Sequence, residues 1–344
     1  MSTPFTRRRL LVMTAASALM LGMAACSQEA IDGEAPEGET FTLVAGHQLA
    51  ADTPFDEGLR HFADLVEEST DGQVTVEVHP NAELGTETEM FQAMQSGTTD
   101  VAIVAPGSIA EFVPETSILS MPFLVTTREQ RDQIIEGPIA EELATSMEET
   151  TGVFPMTYFG GGIRQMFFTE PAQSLEDIDG RLFRVQPSEV LTDSFAAVGL
   201  EPTVVAYNEL YNGLQTGVVD GADNEAVFID SQKFYEPAPN ILVTNHEVTI
   251  RPLVVSRASL DRLPAELQDA VLQAATEAGE FERNLEAEED DATLQALAEM
   301  DGVTVEEADV SGAIDDVRPV WEEYAAQWGA EDTLQQIIDL REDA

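Results

Sequence analysis

Two arginines stand where their neighbours bear on what they could bind. Arg164 follows Gly160-Gly161-Gly162-Ile163, a stretch whose backbone can take conformations closed to other residues. Arg184 sits inside the apolar run Leu182-Phe183-Arg184-Val185. A guanidinium is a planar fork of donors that grips a carboxylate through two parallel hydrogen bonds. Two readings stand for each arginine: a surface ion pair, or an anchor for an anionic ligand. Other chemistry finds little support. There is no Gly-x-Ser-x-Gly elbow and no phosphate-cradling Gly-Lys-Ser/Thr loop. His47, His61, His79 and His246 lack metal-ligand spacing. Carboxylate pairs carry no information in a chain with 65 acidic residues. The residues predict a binding protein rather than an enzyme, without metal or cofactor.

Strands and turns must hold those arginines. Phe183, Val185 and the apolar run before Gly160 read as short strands. Glu209 to Thr216 reads as a helix ended by Gly217, which gives a βαβ-like unit over 158–228. Upstream, Phe41 to Ala45 reads as a first strand. Pro54 to Thr70 is predicted as an amphipathic helix, with Phe55, Leu59, Phe62, Leu65 and Val66 on one face. Val74 to Val78 follows as a strand, Thr88 to Ser96 as a helix, and Val101 to Val104 as a buried strand. Such alternation predicts a parallel α/β lobe, with ligands at the carboxyl ends of its strands. That rule points to His47, Gln48 and the turn from Ala105 to Ser108.

Further on, Glu129 to Glu149 reads as an acidic helical cover on this first lobe. Pro264 opens a helix predicted to run to about Met300, with Leu267, Val271, Ala274, Ala278, Phe281 and Leu285 as its apolar stripe. At ~1.5 Å per residue it would span roughly 50 Å, more than one lobe. Trp321, Tyr324, Trp328, Leu334 and Ile338 recur at helical spacing and read as core of a second lobe.

Three pieces in order resemble the DctP family, the extracytoplasmic solute-binding proteins of tripartite ATP-independent periplasmic (TRAP) transporters. They are the Gly-Ile-Arg turn at 162–164, the run from Leu175 to Val185, and the run from Glu209 to Gly221. Leu84-Gly85, Gly97-Thr98-Thr99-Asp100 and Pro122-Phe123-Leu124 match the family's first lobe. The resemblance implies an α/β two-lobe fold like that of periplasmic binding proteins, with the long helix spanning both lobes. Lobe I would comprise residues 41–161 and 250–289, and lobe II residues 162–249 and 290–344. The resemblance makes Arg184 the principal carboxylate anchor and Arg164 a second donor. Asn224, read in a turn from Asp220, matches the family's cleft asparagine; its rival reading is a turn asparagine bonded to its own backbone. Tyr207 falls where the family sets an aromatic against the ligand, with core packing as the alternative. His47 matches a position of polar ligand contact, or is an exposed histidine ahead of a helix. Glu89 lies near side chains that reach the cleft, or is simply solvated. Asp223-Asn224-Glu225 stands where Glu-Asn-Pro is common, so Glu225 adds a charge beside the site.

Residues 1–26 read as an export signal. Arg7, Arg8 and Arg9 precede an apolar stretch too short for a spanning helix. The arginines fit either the Sec or the twin-arginine route. Cys26, the only cysteine, follows Met23-Ala24-Ala25 as in a lipobox and is the expected lipid attachment point. Residues 27–40 read as an acidic tether. The net charge of −49, with Lys233 as the only lysine, opposes nucleic-acid binding and fits work in high salt, as outside a halophilic cell. In molar salt the Debye length is about 3 Å, so only groups touching a ligand can select its charge. The chain is thus expected to be an extracytoplasmic receptor, lipid-anchored at the membrane, that closes on an organic acid anion and delivers it to TRAP membrane permease subunits. The ligand expected is a C4-dicarboxylate or sugar acid. An extracellular enzyme acting on acidic metabolites and a ligand-sensing subunit of a receptor are the other open readings.

Overall fold

The structure, a computed structural model, describes residues 39–343. The predicted export segment, Cys26 and all but the last two residues of the tether lie outside the described residues. Among the described residues, eleven strands form two sheets. They are β1 (Phe41–Gly46), β2 (Val74–His79), β3 (Val101–Ile103), β4 (Val153–Phe159), β5 (Ile163–Phe168) and β6 (Leu182–Val185). The rest are β7 (Glu201–Val204), β8 (Gly221–Glu225), β9 (Asn240–Val248), β10 (Arg251–Ser256) and β11 (Thr304–Glu307). The first sheet has the order β2-β1-β3-β10-β4 and the second β11-β9-β5-β8-β6-β7. As expected from the alternating pattern, β1 is parallel to β2 and β3. That sheet is completed by β10, antiparallel to β3 and to β4 on its two sides, and by β4, which runs in the same direction as β3. In the second sheet β5 runs antiparallel to β8 and β9, and β6 runs parallel to β7 and β8. Asn224 therefore lies in a strand. The expected turn is absent because Gly221–Glu225 is fully buried and paired with β5.

The chain passes between the sheets at Gly160–Gly162 and at Thr249–Ile250, and again along the helix Ala265–Glu299. The first crossing shows why three glycines are needed. Gly160 has φ +98, and a Cβ there would meet the Thr249 carbonyl oxygen at 2.6 Å. A Cβ on Gly161 would collide with the Arg283 carbonyl oxygen of the long helix. Backbone pressed this close to a helix has no room for water, so side chains must satisfy its polar groups. Gly160 N–H donates to Glu282 (2.7 Å), Gly162 N–H to Glu286 (3.0 Å) and Ile163 N–H to Asp290 (2.9 Å). On the acceptor side, Arg131 donates to the Gly160 carbonyl (2.6 Å) and Arg128 to that of Gly161 (2.7 Å).

The expected apolar stripe of the long helix is corrected by the same contacts. Leu267, Val271, Ala274 and Ala278 are buried as predicted, but Phe281 is 38% exposed and Leu285 only half-buried. From there to Asp290 the buried positions are Glu282, Glu286 and Asp290, and Leu297 is buried further on. The three acids fall four residues apart, on one helix face. That face turns from apolar to acidic where it must accept from the crossing amides.

This acid ladder has a pH consequence. Burial pushes the Glu282 carboxyl up to about 7 and that of Asp290 to about 6, and burial together with Glu282 pushes Glu286 well above the usual range. Arg131, Arg283, Arg128 and Glu225 are the charged groups facing them. Unfolded, these acids ionise near pH ~4. Their stabilising effect is complete below that pH and is lost as pH rises through about 6 to 7. Melting temperature at fixed salt is expected to fall between pH 5 and 8. Glu286→Gln, which keeps an acceptor for Gly162 and cannot ionise, should flatten that fall. A native melting temperature that rises across the interval would refute this assignment.

The acidic helical stretch is two helices, Arg128–Ile135 and Pro138–Thr151, divided at Gly137. It covers the first sheet only in part. Met147 joins a core with Met90, Ala102 and Val254 of that side. Ile134, Ile139 and Leu143 instead share a core with Trp321, Tyr324 and Ile337 of the C-terminal helices and with Met166 and Leu242 of the second sheet. No helix among the described residues is long and apolar enough to cross a membrane.

Candidate ligand-binding site

A cavity of about 140 Å³ opens between the two sheets. It falls below the ~300–1,000 Å³ of drug-sized sites and so suits a small solute. From the first-sheet side it is lined by Gln48, just past β1, by Glu87, and by Ala105 and Ser108 past β3. From the second it is lined by Arg164, Arg184, Gln186, Tyr207 and Asn224. Arg251, at the start of β10, reaches it from the second crossing. The walls touch at its rim. Ser108 Oγ lies 3.5 Å from Gln186 Oε1, and the rings of Phe55 and Phe228 meet edge-on at 5.2 Å.

Both predicted arginines reach this cavity, but in different electrostatic states. Strand register sets Arg164 opposite Glu225. Its Nε donates to Asp223 Oδ2 (2.7 Å), Nη1 to Asn224 Oδ1 (3.0 Å) and Glu225 Oε2 (2.8 Å), and Nη2 to the Asp223 carbonyl (2.7 Å). Glu247 stands 3.9 Å from it. Burial alone would lower the pKa of this guanidinium, but the charges of Asp223, Glu225 and Glu247 outweigh burial and raise it. The balance also favours the charged form of Asp223. Burial would raise its pKa, yet Arg164 and His246 hold it below the usual carboxylate range. Glu247 is pushed up to about 7, because burial exceeds the pull of Arg164 and Arg251.

Arg184 is only 4% exposed, and among the described residues its one side-chain hydrogen bond runs from Nε to the Val205 carbonyl (3.0 Å). Its guanidinium lies 5.6 Å from the Tyr207 ring centre, and burial lowers its pKa. Among the described residues no carboxylate comes within ion-pair distance of it. A buried cation with open donors facing a cavity is a high-energy arrangement that an anion would relieve. Next to it, Asn224 Nδ2 donates to the Tyr207 hydroxyl (2.8 Å), which locks both side chains on the cavity wall.

Two of the predicted residues do not line the cavity. His47 is buried, as expected for neither of its readings. Its Nε2 faces Asp56 at 3.2 Å, and Asp56 also accepts from Arg60 (2.7 Å). Burial lowers the His47 pKa. Glu89 is exposed and completes a capping box, taking hydrogen bonds from the Thr86 N–H and hydroxyl while its own N–H donates back to Thr86. The helix Glu87–Gln95 turns Glu87 inward instead. Thr86-x-x-Glu89 was a readable helix-start signature that assigns Glu89 to the cap. Arg251 and Gln186 were missed, since neither carries a local signal.

The sequence profile described as "Bacterial extracellular solute-binding protein, family 7", or DctP, matches residues 45–327. The chain belongs to this family. The DctP chain is 35% identical to the TRAP periplasmic solute binding protein of Sulfitobacter sp. NAS-14.1 solved with bound alpha-D-taluronate. The TM-score is 0.83, over 87% of this chain and 97% of that one. The DctP chain is also similar to the sugar acid binding protein of Advenella mimigardefordensis in complex with galactonate, at 26% identity and TM-score 0.84, over 89% and 99% of the two chains. The C4-dicarboxylate-binding periplasmic protein of Rhodobacter capsulatus is 31% identical over 333 residues, 95% of this DctP chain and 96% of the relative. Family membership makes this an extracytoplasmic solute-binding protein of the TRAP type, with the two-lobe α/β fold and the long helix of 35 residues that the resemblance implied.

Proposed function

We propose that this protein is the receptor of a TRAP transporter, binding an organic acid anion between its lobes and delivering it to membrane permease subunits. The observation that carries the reading is the buried, ion-pair-free guanidinium of Arg184 at the cavity wall. Arg184 grips the ligand carboxylate with its two outer nitrogens, and Asn224 and Tyr207 support it from the side. Arg164 positions Asn224 and keeps one Nη2 hydrogen for the ligand. The ligand is a C4-dicarboxylate or a sugar acid, as for the Rhodobacter, Sulfitobacter and Advenella relatives. Lobe I comprises 41–161 and 250–289, lobe II 162–249 and 290–344, and Cys26 carries a lipid anchor. A ligand that touches both lobes shifts the open–closed equilibrium, because only the closed form makes both sets of contacts. Closure also expels water and strengthens the Arg184–carboxylate pair.

A thermal-shift screen in ~molar salt against a panel of organic acids tests the proposal. A true ligand at ~100 times its Kd stabilises the native state by about 2.7 kcal/mol and is recovered unchanged. Stabilisation by no organic acid would remove the receptor reading, and conversion of a bound acid to product would replace it with catalysis.

A further inference from the structure

Charge in the cavity is unevenly paired. Arg164 and Arg251 stand among three carboxylates, those of Asp223, Glu225 and Glu247. Neither guanidinium is left over to balance a ligand. Arg184 is the one cavity-lining arginine without such a partner among the described residues. One uncompensated cation matches one ligand carboxylate.

The facing wall carries a carboxylate of its own. Glu87 is 4% exposed. Its Oε1 accepts from Gln48 Nε2 (2.8 Å), and its Oε2 accepts from the Ala105 N–H (3.1 Å) and the Ser108 hydroxyl (2.5 Å). A carboxylate has about four lone-pair sites, so one remains open on Oε1. These donors hold the carboxyl group rigid, and among the described residues no arginine pairs with it. Such a wall accepts hydroxyl hydrogens and repels a second negative group. Added salt does not relieve that repulsion at contact distance, where even molar salt has a screening length of ~3 Å.

We infer that Glu87 makes this receptor selective for a hydroxylated monocarboxylate, an aldonate or uronate, against dicarboxylates of equal length. The inference rests on the reading that Arg184 holds the ligand carboxylate. With one end of the ligand fixed there, the other end enters the wall formed by Glu87, Gln48 and Ser108. A hydroxyl finds an acceptor in Glu87 and amide and hydroxyl partners beside it. A carboxylate at the same place meets a buried like charge, which opposes binding.

Acid pairs that differ only in that terminal group isolate the effect. Titration calorimetry with galactonate against galactarate, and with gluconate against glucarate, is expected to show the native protein binding at least one monocarboxylate tenfold or more tighter than its dicarboxylate. Glu87→Gln keeps an acceptor and removes the charge, and should bring the pair within about threefold by improving the dicarboxylate. The native ratio alone decides the matter if that variant does not fold. A native preference for the dicarboxylate, or an unchanged ratio in folded Glu87→Gln, would overturn the inference. Dicarboxylate binding that is tight and lost in Arg184→Met would do so while leaving the receptor reading intact. Monocarboxylate binding that survives Arg184→Met would overturn the inference together with the Arg184 anchor, and binding of none of the four acids would overturn the inference while the receptor reading stands on the wider panel of organic acids.

Discussion

Arg184→Met is expected to weaken binding of the carboxylate ligand about 30-fold or more while leaving the unliganded protein as stable as before, or more stable. Truncating one partner of a buried, hydrogen-bonded charge pair costs about 2–5 kcal/mol of binding, and each 1.4 kcal/mol is roughly tenfold. No nearby arginine can substitute, because Arg164 and Arg251 are held by Asp223, Glu225 and Glu247. The stability half of the prediction follows from the empty site. Arg184 is buried without a carboxylate, so the unliganded fold carries the desolvation of a charge and recovers only the bond to Val205. Methionine fills similar space without that charge, and apolar replacements of buried ions are often neutral or stabilising. Calorimetry and urea melts on the same preparation check both halves. Unchanged affinity would move the ligand away from Arg184.

Arg164→Met is expected to behave in the opposite sense, with a stability loss of about 3–5 kcal/mol at pH 8. The change strands Asp223, Glu225 and Glu247 as buried carboxylates with Arg251 as their remaining cation partner of permanent charge. Removing one member of a buried charge cluster is costly for that reason. Loss of the cation raises the folded pKa of each acid, so stability relative to the native protein should recover as pH falls and the acids take up protons. Glu247, already raised to about 7 by burial, should protonate first. Urea melts at pH 8 and pH 5 read the difference. A variant as stable as the native protein at both would mean that the cluster does not depend on Arg164. The two arginines, similar in sequence context, would then differ only in ligand contact.

Why their roles were not separable from sequence is a matter of distance along the chain. The run Leu-Phe-Arg-Val gave Arg184 a strand, and the glycines before Arg164 gave it a turn. What separates them is the company each keeps. Asp223 and Glu225 arrive through antiparallel pairing of β5 with β8, and Glu247 through pairing with β9. Neither contact has a local signature, and in a chain with 65 acids no single carboxylate stands out. Strands and helices of the first lobe were legible to within a residue or two, because alternation and amphipathic spacing are local. The long helix was legible in extent but not in its second half. Spacing alone could not show that Glu282, Glu286 and Asp290 would be buried, since the crossing amides that require them lie more than 120 residues away. His47 misled for a related reason: its position past β1 is at the mouth of the lobe, but Asp56 draws its ring inward.

The most direct measurement is a crystal structure of the protein with a bound acid taken from the thermal-shift screen. The ligand carboxylate is expected to face Arg184, with both oxygens about 2.7–2.9 Å from its outer guanidinium nitrogens. A carboxylate bound instead at Arg251, at Arg164 alone or outside the cavity, with Arg184 unengaged, would contradict this placement.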